Sequence, residues 1–213
     1  MKLEIWSDVV CPWCYIGKRR VEQALEQFDH ADEVEVEWRS FQLDPTYPVG
    51  ISEPVHEALG RKYGGEAAIQ PMLDRVTAIG AEEGLKIDYT RARNVNTFDT
   101  HRLIHLAKSL GAEAPTWERL LKAYFIDGED LSNHSTLIRL LAEAGVPEPE
   151  TTRVLNTDAY RADVEADIEA ARNLGATGVP FFVVDRTYGI SGAQPVEVFL
   201  EAFRRAYEDA SNG

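Results

Sequence analysis

The spacing of apolar residues changes along this chain in a way that divides it into elements. Leu3 and Ile5 lie in a short, mostly apolar opening stretch, which reads as a strand inside a covered sheet. Val21, Ala24, Leu25 and Phe28 then recur at i, i+3, i+4 and i+7, the period of a helix packed on one face. Val34, Val36 and Trp38 alternate with Glu35, Glu37 and Arg39, which predicts a second strand. Strand, helix and strand in this order form a βαβ unit with a right-handed crossover.

From Asp44 and Pro45 onward the pattern shifts, and Pro45, Pro48, Gly50 and Pro54 mark a loop. Helical spacing follows. Ile69, Met72, Leu73, Val76 and Ile79 predict one helix closing near Gly84; Leu103, Leu106, Ala107 and Leu110 predict another, stopped by Gly111. Trp117, Leu120, Leu121 and Tyr124 follow Pro115, and Leu137, Ile138, Leu141 and Ala144 end at Gly145. A longer pattern through Val164, Ile168 and Ala171 ends at Gly175.

The chain then turns back to β. Phe181 to Val184 reads as a strand, Asp185-Arg186 as a turn and Tyr188 to Ile190 as its hairpin partner. Val196, Phe199, Leu200, Phe203 and Tyr207 form a last helix, with residues 209–213 expected to fray. The expected organisation is a compact βαβ-ββα domain from residues 1–44 and 175–213, with residues 45–174 as an inserted helical domain.

Composition narrows the function classes. Hydrophobic residues make up 44% and charged residues 27% of the 213, which is the balance of a globular protein rather than a disordered one. The formal net charge of −14 argues against nucleic acid or an anionic membrane as partner, since both need clustered Lys and Arg. Met1 to Trp6 already reads as strand and leaves no room for a signal peptide, so the expected location is the cytoplasm. In that compartment paired cysteines point to redox chemistry or metal binding rather than to a structural bridge.

The chain has two cysteines, Cys11 and Cys14, between the first strand and the first helix. A sulfur at a helix start meets unsatisfied backbone N–H groups and the positive end of the helix dipole, which favour thiolate over thiol. Cys11 is therefore the candidate nucleophile. Cys14 lies one turn on, placed to close a small disulfide ring or to attack a mixed disulfide on Cys11. Pro12 suits the first helical position, where its missing N–H is no loss, and Trp13 is neutral, leaving the dipole to favour the thiolate. Asp8 reads as a helix cap, with proton transfer as the alternative. Lys18, Arg19 and Arg20 read as a solvated helix face, with attraction of an anionic substrate such as glutathione as the alternative. Tyr15, Phe98, Trp117, Tyr124 and Phe125 read as core, with a groove beside the cysteines as the alternative. His101 and His105, at i and i+4, could complete a Cys₂His₂ zinc set, but they are too distant in sequence from the cysteines for a finger, and no metal is expected.

This order of elements, with Cys-x-x-Cys after the first strand and an X-Pro before the third, resembles the thioredoxin-like family of DsbA. Members of that family carry a helical domain inserted at the same place. The chain is most similar to the FrnE-like branch, cytoplasmic DsbA relatives, through Ser7-Asp8-Val9-Val10-Cys11-Pro12-Trp13-Cys14, Gly175-Ala176-Thr177-Gly178-Val179-Pro180-Phe181-Phe182 and Gly189-Ile190-Ser191-Gly192-Ala193-Gln194-Pro195. The inserted region agrees at Thr100-His101-Arg102-Leu103 and Ala123-Tyr124-Phe125. The resemblance implies an α/β thioredoxin fold with a large all-helical insertion, and a cis Val179-Pro180 bond facing the cysteines. It implies dithiol–disulfide exchange on protein or small-molecule disulfides with no cofactor, glutathione being a candidate co-substrate. Two departures stand out. Trp13 occupies a position where DsbA has His, so strongly oxidising character does not carry over, and the C-terminal cysteines of some FrnE-like proteins are absent.

The rival reading is a glutathione-dependent isomerase or transferase resembling 2-hydroxychromene-2-carboxylate isomerase and the kappa-class transferases. Those enzymes share the architecture but place Ser at the first cysteine position, so two thiols favour exchange. A binding or chaperone module using only the groove would leave both thiols idle.

Overall fold

The computed structural model describes residues 1–212 of the chain, which form two compact units, one of residues 1–43 and 167–212 and the other of residues 44–166. In the first unit, β1 (Lys2–Ser7) leads into α1 (Pro12–Glu26), and a single 3₁₀ turn at Ala31–Glu33 leads to β2 (Glu35–Ser40).

The second unit opens with β3 (Ser52–Pro54), α2 (Val55–Tyr63), α3 (Glu66–Glu82) and β4 (Arg93–Val95). Then follow α4 (Phe98–Ser109), α5 (Glu113–Lys122) with a π-helical turn at Ala123–Asp127, α6 (His134–Glu143) and α7 (Glu148–Leu155). Helix α8 (Arg161–Asn173) crosses the division between the units. The chain finishes in the first unit with β5 (Phe181–Val184), β6 (Tyr188–Ser191) and α9 (Val196–Asn212). The fraying expected of the tail does not hold as far as Asn212, which is helical, and Gly213 lies outside the described residues.

The first unit is built on a four-stranded sheet in the order β2-β1-β5-β6, with β1 parallel to β2 and antiparallel to β5. This is the thioredoxin arrangement that the resemblance implied. Alternation along β1 sorts its side chains to two faces. Trp6 packs with Ala171 of α8 and Val183, and its indole N–H donates to the Asp167 carbonyl at 2.8 Å. Ile5 pairs with Phe182, so both point to the opposite face, which α1 and α9 cover; there Phe182 meets Phe199 edge-on at 4.8 Å and Phe28 contacts Phe203 at 5.6 Å. Asp185 and Arg186 form the hairpin turn, both with positive φ (47° and 56°).

A buried charge network stands on the Trp6 face. Glu4, 1% exposed, accepts from Arg39 at 2.9 Å and from Arg186 at 2.8 Å, while Asp167 accepts from Arg39 at 3.0 Å and from the Ser40 N–H at 2.9 Å. These Asp167 bonds explain why the boundary lies at 166/167 rather than at the expected 174/175: the second half of α8 is tied to β1 and β2.

The second unit is mainly helical, with Leu103, Trp117, Leu120, Phe125 and Leu140 all fully buried. The insertion expected to be all-helical also carries a two-stranded antiparallel sheet, β3 with β4, and β3 lies in the stretch the sequence pattern assigns to loop. Pro54 is tolerated in β3 because each strand of a two-stranded sheet is an edge, where a missing N–H is no loss on the open side. Met72, expected in the apolar stripe of α3, is 41% exposed. No helix among the described residues is long and apolar enough to cross a membrane.

Candidate active site

The site grows out of the end of β1. After Ser7 the chain turns through Asp8, Val9 and Val10, closed by a hydrogen bond from the Cys11 N–H to the Asp8 carbonyl at 3.1 Å. Cys11 is the N-cap of α1, in extended backbone, and Pro12 takes the first helical position. No side chain caps this helix, so its first amides converge on the Cys11 end without a competing oxygen. The expectation of Asp8 as the cap therefore fails: its fully buried carboxylate is turned toward the segment that follows β2, where it accepts from the Leu43 N–H at 2.9 Å.

Both cysteines are thiols and both are buried, Cys11 to 3% exposure and Cys14 to 1%. The Cys11 thiol donates to the Val179 carbonyl at 3.3 Å. Burial pushes the Cys14 thiol well above the ordinary cysteine range; the neighbouring Cys11 sulfur pushes the same way, and the Ser7 hydroxyl and Asp8 N–H oppose it. The expected cis bond is present at Val179-Pro180.

Three devices hold Val179 and Pro180 against α1. The Val179 side chain packs into the Trp6, Ala171 and Val183 cluster. Gly17 lets α1 come close: a Cβ there would stand 3.1 Å from Pro180 Cγ and 3.1 Å from Phe182 Cζ. Arg20 donates to the Ala193 carbonyl at 2.7 Å, tying the loop after β6 to the same helix. Gly17 and Arg20 were not singled out as site-shaping from sequence. The signal for Gly17 was a glycine inside a strong helical pattern, one turn past Cys14.

The other expected residues take definite places. Trp13 is half-buried on the first turn of α1. Lys18, Arg19 and Arg20 do not form a solvated face: Lys18 is 5% exposed and meets Glu22 at 2.5 Å, and Arg19 also pairs with Glu22 and lies over the Tyr15 ring. Tyr15, Trp117, Tyr124 and Phe125 are core, each 3% exposed or less, while Phe98 is half-buried beneath Arg161. His101 is fully buried edge-on to Trp117, and His105 stacks on Tyr160. No group of three or more His, Cys, Asp or Glu that could hold a metal ion occurs among the described residues.

Comparison with known proteins gives this geometry a context. Probable DsbA oxidoreductase SCO1869 from Streptomyces coelicolor is 44% identical and superposes with a TM-score of 0.94, over 98% of this chain and 90% of that one. YwbO of Bacillus subtilis is 29% identical over 94% of both chains. The cytosolic disulfide reductase DsbM from Pseudomonas aeruginosa, 21% identical, shares the fold with a TM-score of 0.66 over 96% of this chain and 99% of that one. The model of the DSBA-like thioredoxin domain matches residues 2–204, the span that carries the four-stranded sheet, both thiols and the Val179-Pro180 loop. With sequence and architecture in agreement over nearly its whole length, the chain belongs to the DSBA-like thioredoxin domain family of oxidoreductases.

Proposed function

We propose that this protein is a thiol–disulfide oxidoreductase that works through Cys11 and Cys14. The observation that carries the reading is the Cys11 sulfur at an uncapped helix start, 3.3 Å from the Val179 carbonyl, with a second, deeper thiol one turn behind it. Cys11, as thiolate, attacks one sulfur of a substrate disulfide; the new Cys11–substrate bond forms as the substrate S–S bond breaks, and the first product thiolate leaves and takes up a proton. Cys14 then displaces the second product sulfur from Cys11. The pair ends as a disulfide, oxidised by two electrons, and the substrate as two thiols. Run backwards, the same steps deliver a disulfide. The Val179 backbone borders the reacting sulfur and offers an extended peptide a place to pair.

The substrate is a protein or small-molecule disulfide, and glutathione is the candidate co-substrate. The structure of DsbM with glutathione, for a protein of the same fold, supports that choice. A place in the FrnE-like branch and in the cytoplasm accords with the motifs around Cys11 and Pro180. The test is reduction of insulin disulfides by the parent, Cys11→Ser and Cys14→Ser. Exchange requires that Cys11→Ser be inactive and that Cys14→Ser accumulate a mixed disulfide. Full turnover of glutathione and a small electrophile by Cys14→Ser would instead establish an isomerase or transferase.

A further inference from the structure

Ser7 closes β1, and its hydroxyl is fully buried without a hydrogen-bond partner. A buried hydroxyl in that state calls for an explanation, because such groups are nearly always satisfied. Alternation along β1 supplies one. Ile5 shares the face of Phe182, which α1 covers at Gly17, and Ser7 falls on that same face, two residues nearer the cysteines. There it adjoins the Cys14 sulfur, which is 1% exposed and sealed from water. A thiol is a weak acceptor, so the hydroxyl gains little from it in the dithiol form. A thiolate is a strong acceptor, and a hydroxyl can rotate toward it without moving its backbone.

We propose that Ser7 is the hydrogen-bond donor for Cys14 in the resolving step, turning its hydroxyl to the Cys14 sulfur as that sulfur gives up its proton and attacks Cys11. The inference rests on the exchange reading above. The Cys14–Cys11 bond forms while the bond from Cys11 to the substrate sulfur breaks. The departing sulfur leaves with the electron pair and takes up, through solvent, the proton that Cys14 released. Ser7 keeps its own proton throughout. The Asp8 N–H is a second donor to the same sulfur, from the residue next to Ser7.

The test uses an aromatic disulfide whose released thiolate is coloured, mixed rapidly with the fully reduced chain. The parent releases one equivalent as Cys11 attacks and a second as Cys14 resolves. In Ser7→Ala the first phase should keep its rate and the second should slow by roughly ten- to a hundredfold, the worth of a hydrogen bond to a charged group. The pH midpoint of the second phase should move upward. Ser7→Thr, which keeps a hydroxyl, should restore much of that phase. Because Ser7 has no partner in the dithiol form, Ser7→Ala should unfold at the parent's denaturant concentration or above it. A second phase with parental rate and pH midpoint in Ser7→Ala overturns the proposal. So does a lowered unfolding midpoint with both phases slowed alike, which would mark a structural role. Absence of a second phase in the parent would instead defeat the exchange reading itself.

Discussion

Replacing Gly17 with alanine sets two opposing effects against each other at the point where α1 meets the Val179-Pro180 loop. In an exposed helix interior the change would stabilise by about 1 kcal/mol, because alanine loses less backbone freedom on folding. Here the added methyl would stand 3.1 Å from Pro180 Cγ and 3.1 Å from Phe182 Cζ, with Ala193 Cβ at 3.6 Å. Neither close neighbour can yield easily. Pro180 is a ring fixed to the backbone, and Phe182 is fully buried and held edge-on against Phe199. Overpacking of this kind costs about 1–3 kcal/mol, so the net expectation is a loss of up to about 2 kcal/mol. The strain is relieved by moving Pro180 away from α1, which lengthens the 3.3 Å contact between Cys11 and Val179 and should slow disulfide exchange by several-fold to about tenfold. Denaturant titration of the reduced protein and insulin reduction together check both parts. If Gly17→Ala gained the full helical benefit and exchanged disulfides at the parental rate, the reasoning about close approach would be refuted.

Other expectations follow from the same geometry. Because burial holds the Cys14 thiol above its ordinary range, the unfolded chain loses this proton first as pH rises past about 8.5. The contribution of Cys14 to stability is therefore complete below that pH and declines above it, at up to about 1.4 kcal/mol per pH unit, in the parent but not in Cys14→Ser. Urea midpoints of the two reduced proteins across this range would show it, and parallel curves would contradict it. Arg39→Met leaves Glu4 and Asp167 as buried carboxylates short of a partner and should destabilise by about 3–5 kcal/mol, toward the lower end because Arg186 still reaches Glu4. A smaller loss than about 1 kcal/mol in denaturant would show that the network is mostly solvated. Trp13→His adds a positive charge beside the dithiol, favours its reduced form and should raise the reduction potential by up to about 30 mV, worth about 1.4 kcal/mol. Equilibration against glutathione measures this, and an unchanged or lower potential would count against it.

How much of this was legible in the sequence depends on what each residue's reason for being there is. β1, β2, β5, α1 and α9 carry apolar runs, alternation or stripes that reveal them, whereas β6 buries Ile190 alone and is read only as the partner across the Asp185-Arg186 turn. Helix α2 buries one residue, Val55, and α7 buries Thr151 and Val154, which leaves no stripe to read. Strands β3 and β4 are Ser-Glu-Pro and Arg-Asn-Val, short and polar, and only their pairing makes them strands. The two cysteines and Pro180 announce themselves by chemistry and spacing. Gly17 does not, because what requires it lies more than 160 residues away at Pro180 and Phe182. Ser7 is hidden for a related reason: alternation puts it on the buried face of Ile5, but the sequence does not say that the Cys14 sulfur lies beside it. Asp8 misled in the opposite sense, since a carboxylate near a helix start usually caps it, and here the segment after β2 offered the Leu43 amide instead.

The Cys11-to-Val179 contact ties the ionisation of a sulfur to the vacancy of a carbonyl. A protonated Cys11 engages that oxygen, whereas an anionic or bridged sulfur has no hydrogen to offer it. On the exchange reading, proton and incoming backbone amide compete for one acceptor, so an extended peptide should bind the oxidised chain more tightly than the reduced, protonated one. In the direction that delivers a disulfide, where the chain ends as a dithiol, release is then built into the same oxygen: the Cys11 thiol takes back the position that the departing strand had held.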